Sequence, residues 1–194
     1  MEQFLSKQGV YIKNMTRTFI AVELPERLIP DIEKIESILK APSIKLVEPK
    51  LVHITLKFLG DISEDRVEPI VSALAGINCE PFEARIKGIG VFPKPSYIKV
   101  IWLGTEGNFD LLHKEVERVL FPFKFEKDRN FSAHATLARV KFPGEKSEIF
   151  EKIKKLGEVD LGTMKVDSLS LKKSTLTPKG PIYETLREIR LKTA

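Results

Sequence analysis

Two stretches of the sequence alternate apolar and polar side chains with the period of a β-strand, and each contains a histidine two positions before a threonine. They are LVHITLKFLG, with His53 and Thr55, and FSAHATLARV, with His134 and Thr136. Because successive side chains of a strand point to opposite faces, each histidine should share a face with its threonine. The pattern predicts a core behind each strand, with an imidazole and a hydroxyl in front of it.

Other apolar residues recur at the three- and four-residue spacing of amphipathic helices. This spacing predicts four helices, at 25–40, 63–74, 108–120 and 149–156, the second capped by Ser63 and the third opened by Asn108. Shorter alternating runs, bounded by proline- and glycine-containing turns, predict further strands at 17–24, 44–47, 82–91, 97–103, 164–171 and 182–189.

The sequence also repeats itself. The two histidines lie 81 residues apart (134 − 53), and the same offset carries the strand 19–22 onto 100–103. Each half reads strand, helix, His-x-Thr strand, helix, strand. This order predicts an internal duplication of approximately 17–90 and 98–174, followed by a C-terminal strand.

The duplication predicts the fold class. We expect an α+β, bilobal protein in which pseudo-twofold-related antiparallel sheets carry helices on their outer faces and enclose a central cleft. His53 and His134 should then face each other across that cleft. Residues 15–194 form the single two-lobed domain of this prediction, and residues 1–14 are an N-terminal extension without an assigned role.

The amino-acid composition indicates the size of the core and the cellular compartment. At 194 residues with 42% hydrophobic content, the chain is long enough to bury a sizeable core. Cys79 is the only cysteine, which excludes an internal disulfide and a cysteine-clustered metal site and favours a reducing compartment. No apolar run approaches the roughly 20 residues that span a bilayer. We therefore expect a cytoplasmic protein without a membrane partner.

Charge and residue usage add two weaker indications. The formal net charge of +5 and the pI of about 9.2 are compatible with a polyanionic partner, although many basic proteins bind none. Lysine and glutamate are abundant whereas asparagine, glutamine and cysteine are scarce, a balance typical of hyperthermophile proteins. We interpret it as a sign of heat stability.

Two facing histidines suit acid–base chemistry, because one imidazole can release a proton while the other accepts one. Thr55 and Thr136 could donate hydrogen bonds to phosphate oxygens, and a cation would hold the charge. Arg139 is the nearest arginine to the second motif, but strict alternation places it opposite His134. Lys57 has the right parity and is the alternative. Neither strand supplies further ligands at metal-site spacing, so we expect no metal and no cofactor.

Other residues allow different interpretations. His113 lies on a predicted helix without a threonine partner, which favours a surface or structural role. Tyr97 and Trp102, with the basic balance, would also suit a non-catalytic RNA-binding module that stacks bases on aromatic rings. Trp102 aligns with Ala21 inside a predicted central strand, which favours core packing.

Four stretches together resemble a known family, the two-histidine phosphoesterases, and within it the LigT-like RNA 2′,3′-cyclic phosphodiesterases long called 2′-5′ RNA ligases. They are HITLKFLG, GVFPKPSYIKVIWLG, HATLAR and LKKSTLTPKGPIYETL. The resemblance covers residues 17–186 in family order. Two details depart from it: Ala133 stands where a proline commonly precedes the second motif, and residues 1–14 have no counterpart.

The resemblance implies metal-independent opening of a terminal 2′,3′-cyclic phosphate on RNA, leaving a 2′-phosphate. It assigns His53 as proton donor to the departing 3′ oxygen and His134 as proton acceptor from water. Thr55 and Thr136 would grip the phosphate, with Arg139 assisting. The implied partner is RNA with cyclic phosphate ends, tRNA fragments among them, and a monomer is the default. Ligation of such an end to a 5′-hydroxyl would use the same two histidines and stays open.

Overall fold

The computed structural model describes residues 15–128, 130–141, 146–178 and 180–192, so the extension 1–14 lies outside the described residues. Within these ranges an antiparallel sheet packs against helices, which confirms the α+β class. The helices are α1 Ile29–Leu39, α2 Val67–Leu74, α3 Phe109–Leu120 and α4 Lys146–Leu156. The strands are β1 Met15–Glu23, β2 Ile44–Leu46, β3 His53–Ser63, β4 Phe82–Lys94, β5 Tyr97–Glu106, β6 His134–Val140, β7 Asp160–Val166, β8 Ser168–Thr177 and β9 Gly180–Arg190.

The strands form one curled sheet in the order β7-β4-β5-β6-β3-β1-β8-β9, with β2 added beside β6. The two histidine strands, β3 and β6, are neighbours at its centre. They share only the register pair Ile54 and Ala135, whereas β1 and β3 pair over nine positions of β1. The sheet therefore has two well-paired lobes that meet along a short central seam.

Each lobe contains strands from both halves of the sequence, which differs from the expectation that each half builds its own sheet. The strand that follows the second helix of the first half, β4, pairs with β5 and β7. In the second half β8 pairs with β1. This exchange explains why the single strand predicted at 164–171 is two strands: β7 and β8 pair in different lobes, and the chain leaves one for the other at Asp167.

The core lies between the sheet and the helices. Behind the histidine strands, Ile54, Leu56, Ala135 and Leu137 are fully buried, as the alternation predicts. They pack with the apolar stripes of the helices, among them Ile32, Leu39, Ile70, Leu74, Leu112 and Val116. This packing leaves the opposite face of β3 and β6 for the histidines.

Helix starts differ in detail from the prediction. A 3₁₀ turn at Glu26–Leu28 leads into α1, and Pro30 is accommodated in the first turn because amide groups there need no intrahelical partner. Ser63 and Asn108 do precede helical segments, but neither side chain makes a capping hydrogen bond. None of the helices in the described ranges is both long and apolar enough to span a bilayer.

Candidate active site

The two histidines are held in the same way. His53 begins β3, and its Nδ1–H donates to the Leu51 carbonyl at 2.7 Å. His134 begins β6, and its Nδ1–H donates to the Ser132 carbonyl, also at 2.7 Å. In each case the acceptor is the carbonyl two residues earlier in the chain. A neutral ring so bound keeps its proton on Nδ1, which leaves Nε2 as the nitrogen for proton transfer.

Both rings border one cleft of about 750 Å³, a volume typical of small-ligand sites. Thr55 and Thr136 line it, and Thr55 Oγ lies 3.1 Å from His53 Nε2. Arg139 lines it too. The structure thus brings all five predicted site residues together in one cavity.

A one-residue β-bulge in each histidine strand decides which later residues reach this cleft. Leu56 of β3 is left over between the pairs Thr55–Ala21 and Lys57–Ile20, and Leu137 of β6 is left over in the corresponding place. A bulge reverses the alternation beyond it. Arg139 is therefore exposed on the same side as His134, and the expectation from strict alternation was wrong.

The same bulge directs the Lys57 ammonium toward α3, although the residue still borders the cleft. Only 2% of Lys57 is exposed, and its ammonium donates to the carboxylate of Glu117 on α3 at 2.5 Å. Strict alternation from His53 would place Phe58 behind the strand with Ile54, but it is 70% exposed and lines the cleft. Of the two candidate cations, Arg139 is thus the one whose charge faces the histidine side.

Aromatic rings flank each histidine. The His53 ring stacks on Phe19 at a centroid distance of 5.0 Å and meets Tyr183 of β9 edge-on at 5.3 Å. The His134 ring meets Phe92 of β4 edge-on at 4.9 Å and lies 6.0 Å from Trp102. These four aromatic rings restrict the orientations of both imidazoles.

Trp102 is not part of the core behind the sheet, contrary to the expectation. It pairs in register with Thr136, so both side chains lie on the cleft side of the sheet. Its indole covers Gly90 on the neighbouring strand so closely that a Cβ there would come within 2.0 Å of the ring. A residue without a side chain is therefore required at position 90.

Burial is the main influence on His53 and lowers its pKa below the usual 6.5. The Leu51 carbonyl and Glu23 oppose this effect, whereas Lys172 and His134 add to it. Lys172 and Glu23 are themselves ion-paired. A lowered pKa makes a protonated His53 a stronger acid.

Tyr183 is a site residue that sequence reasoning missed. It lines the cleft, and burial raises the pKa of its phenol while the Arg139 guanidinium lowers it. Its ring contacts both Phe19 and His53. The one feature of the sequence that could have indicated a role for Tyr183 is its position in LKKSTLTPKGPIYETL, one of the four stretches that resemble the family.

His113 is buried, as a structural role requires. Its ring stacks on Phe131 at 4.0 Å, and its Nε2–H donates to Asp128 Oδ2 at 3.2 Å. His113, Glu117 and Asp128 lie close enough to hold a metal ion. The Lys57 ammonium, however, lies 2.5 Å from Glu117 and 3.6 Å from Asp128, and it already supplies these carboxylates with a cation.

The sequence profile of the LigT-like phosphoesterases matches residues 19–102 and 104–183. The chain belongs to this family. A Methanocaldococcus jannaschii relative named RNA 2′,3′-cyclic phosphodiesterase is 38% identical over 173 residues, covering 89% of this chain and 99% of the relative. A relative of the same name from Methanothermobacter thermautotrophicus is 41% identical, covering 90% of this chain and 98% of the relative.

Solved structures of LigT-like folds are also similar to this chain. A Thermus thermophilus protein superposes with a TM-score of 0.76 at 30% identity, covering 90% of this chain and 97% of that protein. Escherichia coli LigT, crystallised with 3′-AMP, superposes with a TM-score of 0.75 at 22% identity, covering 93% and 100%. At 22% identity, the similarity to Escherichia coli LigT is evidence for a shared fold only.

Proposed function

We propose that this LigT-like phosphoesterase hydrolyses RNA 2′,3′-cyclic phosphate ends to 2′-phosphomonoesters without a metal. The observation that carries the proposal is the pair of histidines in one cleft, each with Nδ1–H bound to a backbone carbonyl. Two imidazoles oriented in this way supply the acid and the base that the reaction needs. The names of the relatives agree with this substrate class.

In the proposed reaction His134 Nε2 takes a proton from water as the water oxygen attacks phosphorus. The P–O3′ bond breaks, and His53 Nε2–H gives its proton to the departing 3′ oxygen. One proton enters the histidine pair and one leaves it, so the reaction needs no further acid or base. Burial lowers the pKa of His53, which makes its protonated form a stronger acid and reduces the fraction that is protonated near neutral pH.

The phosphate would lie between the two threonines and Arg139. Thr55 and Thr136 flank the histidines on the same face of the sheet, where their hydroxyls can donate to non-bridging oxygens. Arg139 reaches this face because of the bulge at Leu137. Its guanidinium would stabilise the negative charge that builds up on phosphorus-bound oxygen during attack.

The finer assignments follow from this reaction. RNA with cyclic ends, such as a cleaved tRNA, is the substrate we infer, and the cytoplasm is the compartment in which a reduced Cys79 and such RNA would coexist. We expect the protein to act as a monomer, because both histidines of the proposed pair belong to one chain.

Ligation through a 2′-5′ bond is the second candidate, because an RNA 5′-hydroxyl could replace water in the same cleft. A non-catalytic RNA-binding module is the third. The paired orientation of His53 and His134 favours catalysis over simple binding, since binding alone needs no defined tautomer.

The deciding experiment is an assay in EDTA on a short RNA ending in a 2′,3′-cyclic phosphate, with identification of the product isomer. We expect a 2′-phosphate, and a rate loss of about 10² to 10⁴ in His53→Ala and in His134→Ala. Lys152→Met, which alters a side chain outside the cleft, is the control and should stay active. Activity that requires an added divalent metal would contradict the mechanism, and RNA binding without turnover would favour the binding module.

A further inference from the structure

Lys57 is an unusual residue for the back of a histidine strand. Its side chain is almost fully buried, yet it makes three polar contacts with another part of the chain. The ammonium lies 2.5 Å from Glu117 Oε1, 3.6 Å from Asp128 Oδ2, and donates to the Glu126 carbonyl at 2.7 Å. Burying a charge is costly unless it is paired, so these contacts account for its presence there.

The partners of Lys57 belong to one stretch, the end of α3 and the connection from α3 to β6. The described residues of this connection between Phe125 and Ala133 form no helix or strand. Side chains hold it instead. Lys57 binds it at Glu126 and Asp128, and His113 binds it by donating to Asp128 and stacking on Phe131.

The same connection forms one wall of the cleft. Asp128, Asn130, Phe131 and Ser132 all line it. Ser132 is also the residue whose carbonyl accepts the Nδ1–H of His134. The contacts of Lys57 thus lead, within six residues of chain, to the group that orients His134.

His53 has no such dependence. Its acceptor carbonyl belongs to Leu51, in a 3₁₀ turn held by its own backbone hydrogen bonds, Leu51 N–H to Glu48 and Val52 N–H to Pro49. The position equivalent to Lys57 in the second histidine strand is Ala138, which is buried and uncharged. A buried lysine at this position is therefore present in β3 and absent from β6, and its contacts lie on the connection that leads to His134.

We propose that Lys57 is a positioning residue for His134: from the strand that carries His53, it fixes the connection whose Ser132 carbonyl orients the second imidazole. The proposal rests on the two-histidine reaction proposed above. It couples the two strands of the site, which share only one register pair of their own. Lys57 touches no substrate in this scheme and acts through the wall of the cleft.

The test compares Lys57→Met, which keeps the length and removes the charge, with Lys57→Arg, which keeps the charge. We expect Lys57→Met to lower kcat on a short cyclic-phosphate RNA by about tenfold or more with KM within about threefold. Lys57→Arg should recover part of the loss. Lys152→Met is the matched control, since Lys152 also donates to two carbonyls, of Ile38 and Lys40, but away from the cleft.

A spectroscopic readout separates positioning from stability. Long-range ¹H–¹⁵N NMR of the histidine rings should show that Lys57→Met loses the single Nδ1–H form of His134 and keeps that of His53. Should Lys57→Met fail to fold, Glu117→Gln removes the charge partner with little change in shape and should act in the same direction.

Three results would overturn the proposal: unchanged kcat and His134 spectra in folded Lys57→Met, equal changes at both histidines, or an equal loss in Lys152→Met. The NMR measurement does not require turnover. A wild-type protein without phosphodiesterase activity would therefore contradict the proposed function, while the spectra of His134 would still decide whether Lys57 positions it.

Discussion

The two histidines have matching motifs and matching carbonyl partners but different electrostatic surroundings. Next to His53 lie Glu23 and Lys172, an ion pair whose two charges shift its pKa in opposite directions. Burial has the larger effect and lowers the pKa below 6.5. For this single residue, burial and the neighbouring ion pair together set the pKa.

The ion pair beside His53 allows a test by opposite substitutions. Lys172→Met should raise the pKa of His53, because a positive charge that disfavours the imidazolium is removed. Glu23→Gln should lower it further. NMR titration of His53 gives the shift directly, and the limb of the kcat/KM–pH profile that moves in the same two directions belongs to His53.

The lowered pKa of His53 also makes the stability of the fold depend on pH. Since the folded pKa of His53 lies below its unfolded value, the unfolded chain binds this proton more readily. Its contribution to the free energy of unfolding is present above pH 6.5 and is lost as the pH falls through the folded pKa. If both substitutions left the titration of His53 unchanged, the account of its surroundings would be wrong.

Arg139 carries the second prediction at this scale. Arg139→Met should lower kcat/KM by about 10²-fold, because a charge-assisted contact to the phosphate is lost. The kcat/KM of Arg139→Lys should lie between those of Arg139→Met and the wild type, since lysine keeps the positive charge but lacks the planar guanidinium that can donate two parallel hydrogen bonds. Steady-state kinetics on the cyclic-phosphate RNA measure the effect.

Arg85→Met is the control for Arg139, because it removes an arginine that pairs with Asp160 outside the cleft. Its kcat/KM should stay close to wild type. Equal losses in Arg85→Met and Arg139→Met would indicate a general effect of charge and contradict the phosphate contact.

At the scale of elements, the bulges at Leu56 and Leu137 have the largest consequence for the site. Each lets two consecutive residues face the core, Leu56 with Lys57 and Leu137 with Ala138. Each also turns the following side chain toward the cleft. The alternation of apolar residues predicted the strands and the face of each His-x-Thr pair, but it could not reveal a bulge, because an apolar residue suits either register.

Helix α1 contains a buried carboxyl that should cost stability at alkaline pH. Burial, with a smaller contribution from Glu33, raises the pKa of Glu36 from 4.5 to about 7, and its Oε1 has no partner among the described residues. A raised carboxyl pKa contributes stability below pH 4.5 that is lost as the pH rises through about 7. Glu36→Gln should therefore raise the free energy of unfolding at pH 8–9 by about 1–3 kcal/mol.

Urea unfolding at pH 5 and pH 9 measures this effect, with a larger gain expected at pH 9. Glu151→Gln, on the exposed face of α4, is the control and should change little at either pH. A gain for Glu36→Gln that is independent of pH would mean that ionisation is not its cause.

At the scale of the whole molecule, the residue usage predicts heat stability. We expect a melting temperature well above the 45–65 °C that is usual for mesophilic domains, roughly independent of protein concentration if the protein is a monomer. Differential scanning calorimetry with size-exclusion chromatography tests both expectations. A melting temperature inside the mesophilic range would contradict the first.

The internal duplication stays a prediction, with 17–90 and 98–174 as its two units. The sheet order places β3 beside β6, with β1 and β5 outside them, as a pseudo-twofold arrangement of the units would. The exchange of β4 and β8 between the lobes binds the units to each other, so neither half should fold alone.

Local patterns in the chain were enough to predict the class of elements, the shared face of each His-x-Thr pair and the family, because periodicity and motif residues are local properties. Other features of the site depend on how distant segments pair. The bulges exchanged the sides of Lys57 and Arg139, strand exchange built each lobe from both halves, and Tyr183 came to His53 from a distant strand. These outcomes depend on pairing between segments far apart in the chain, which no local pattern records.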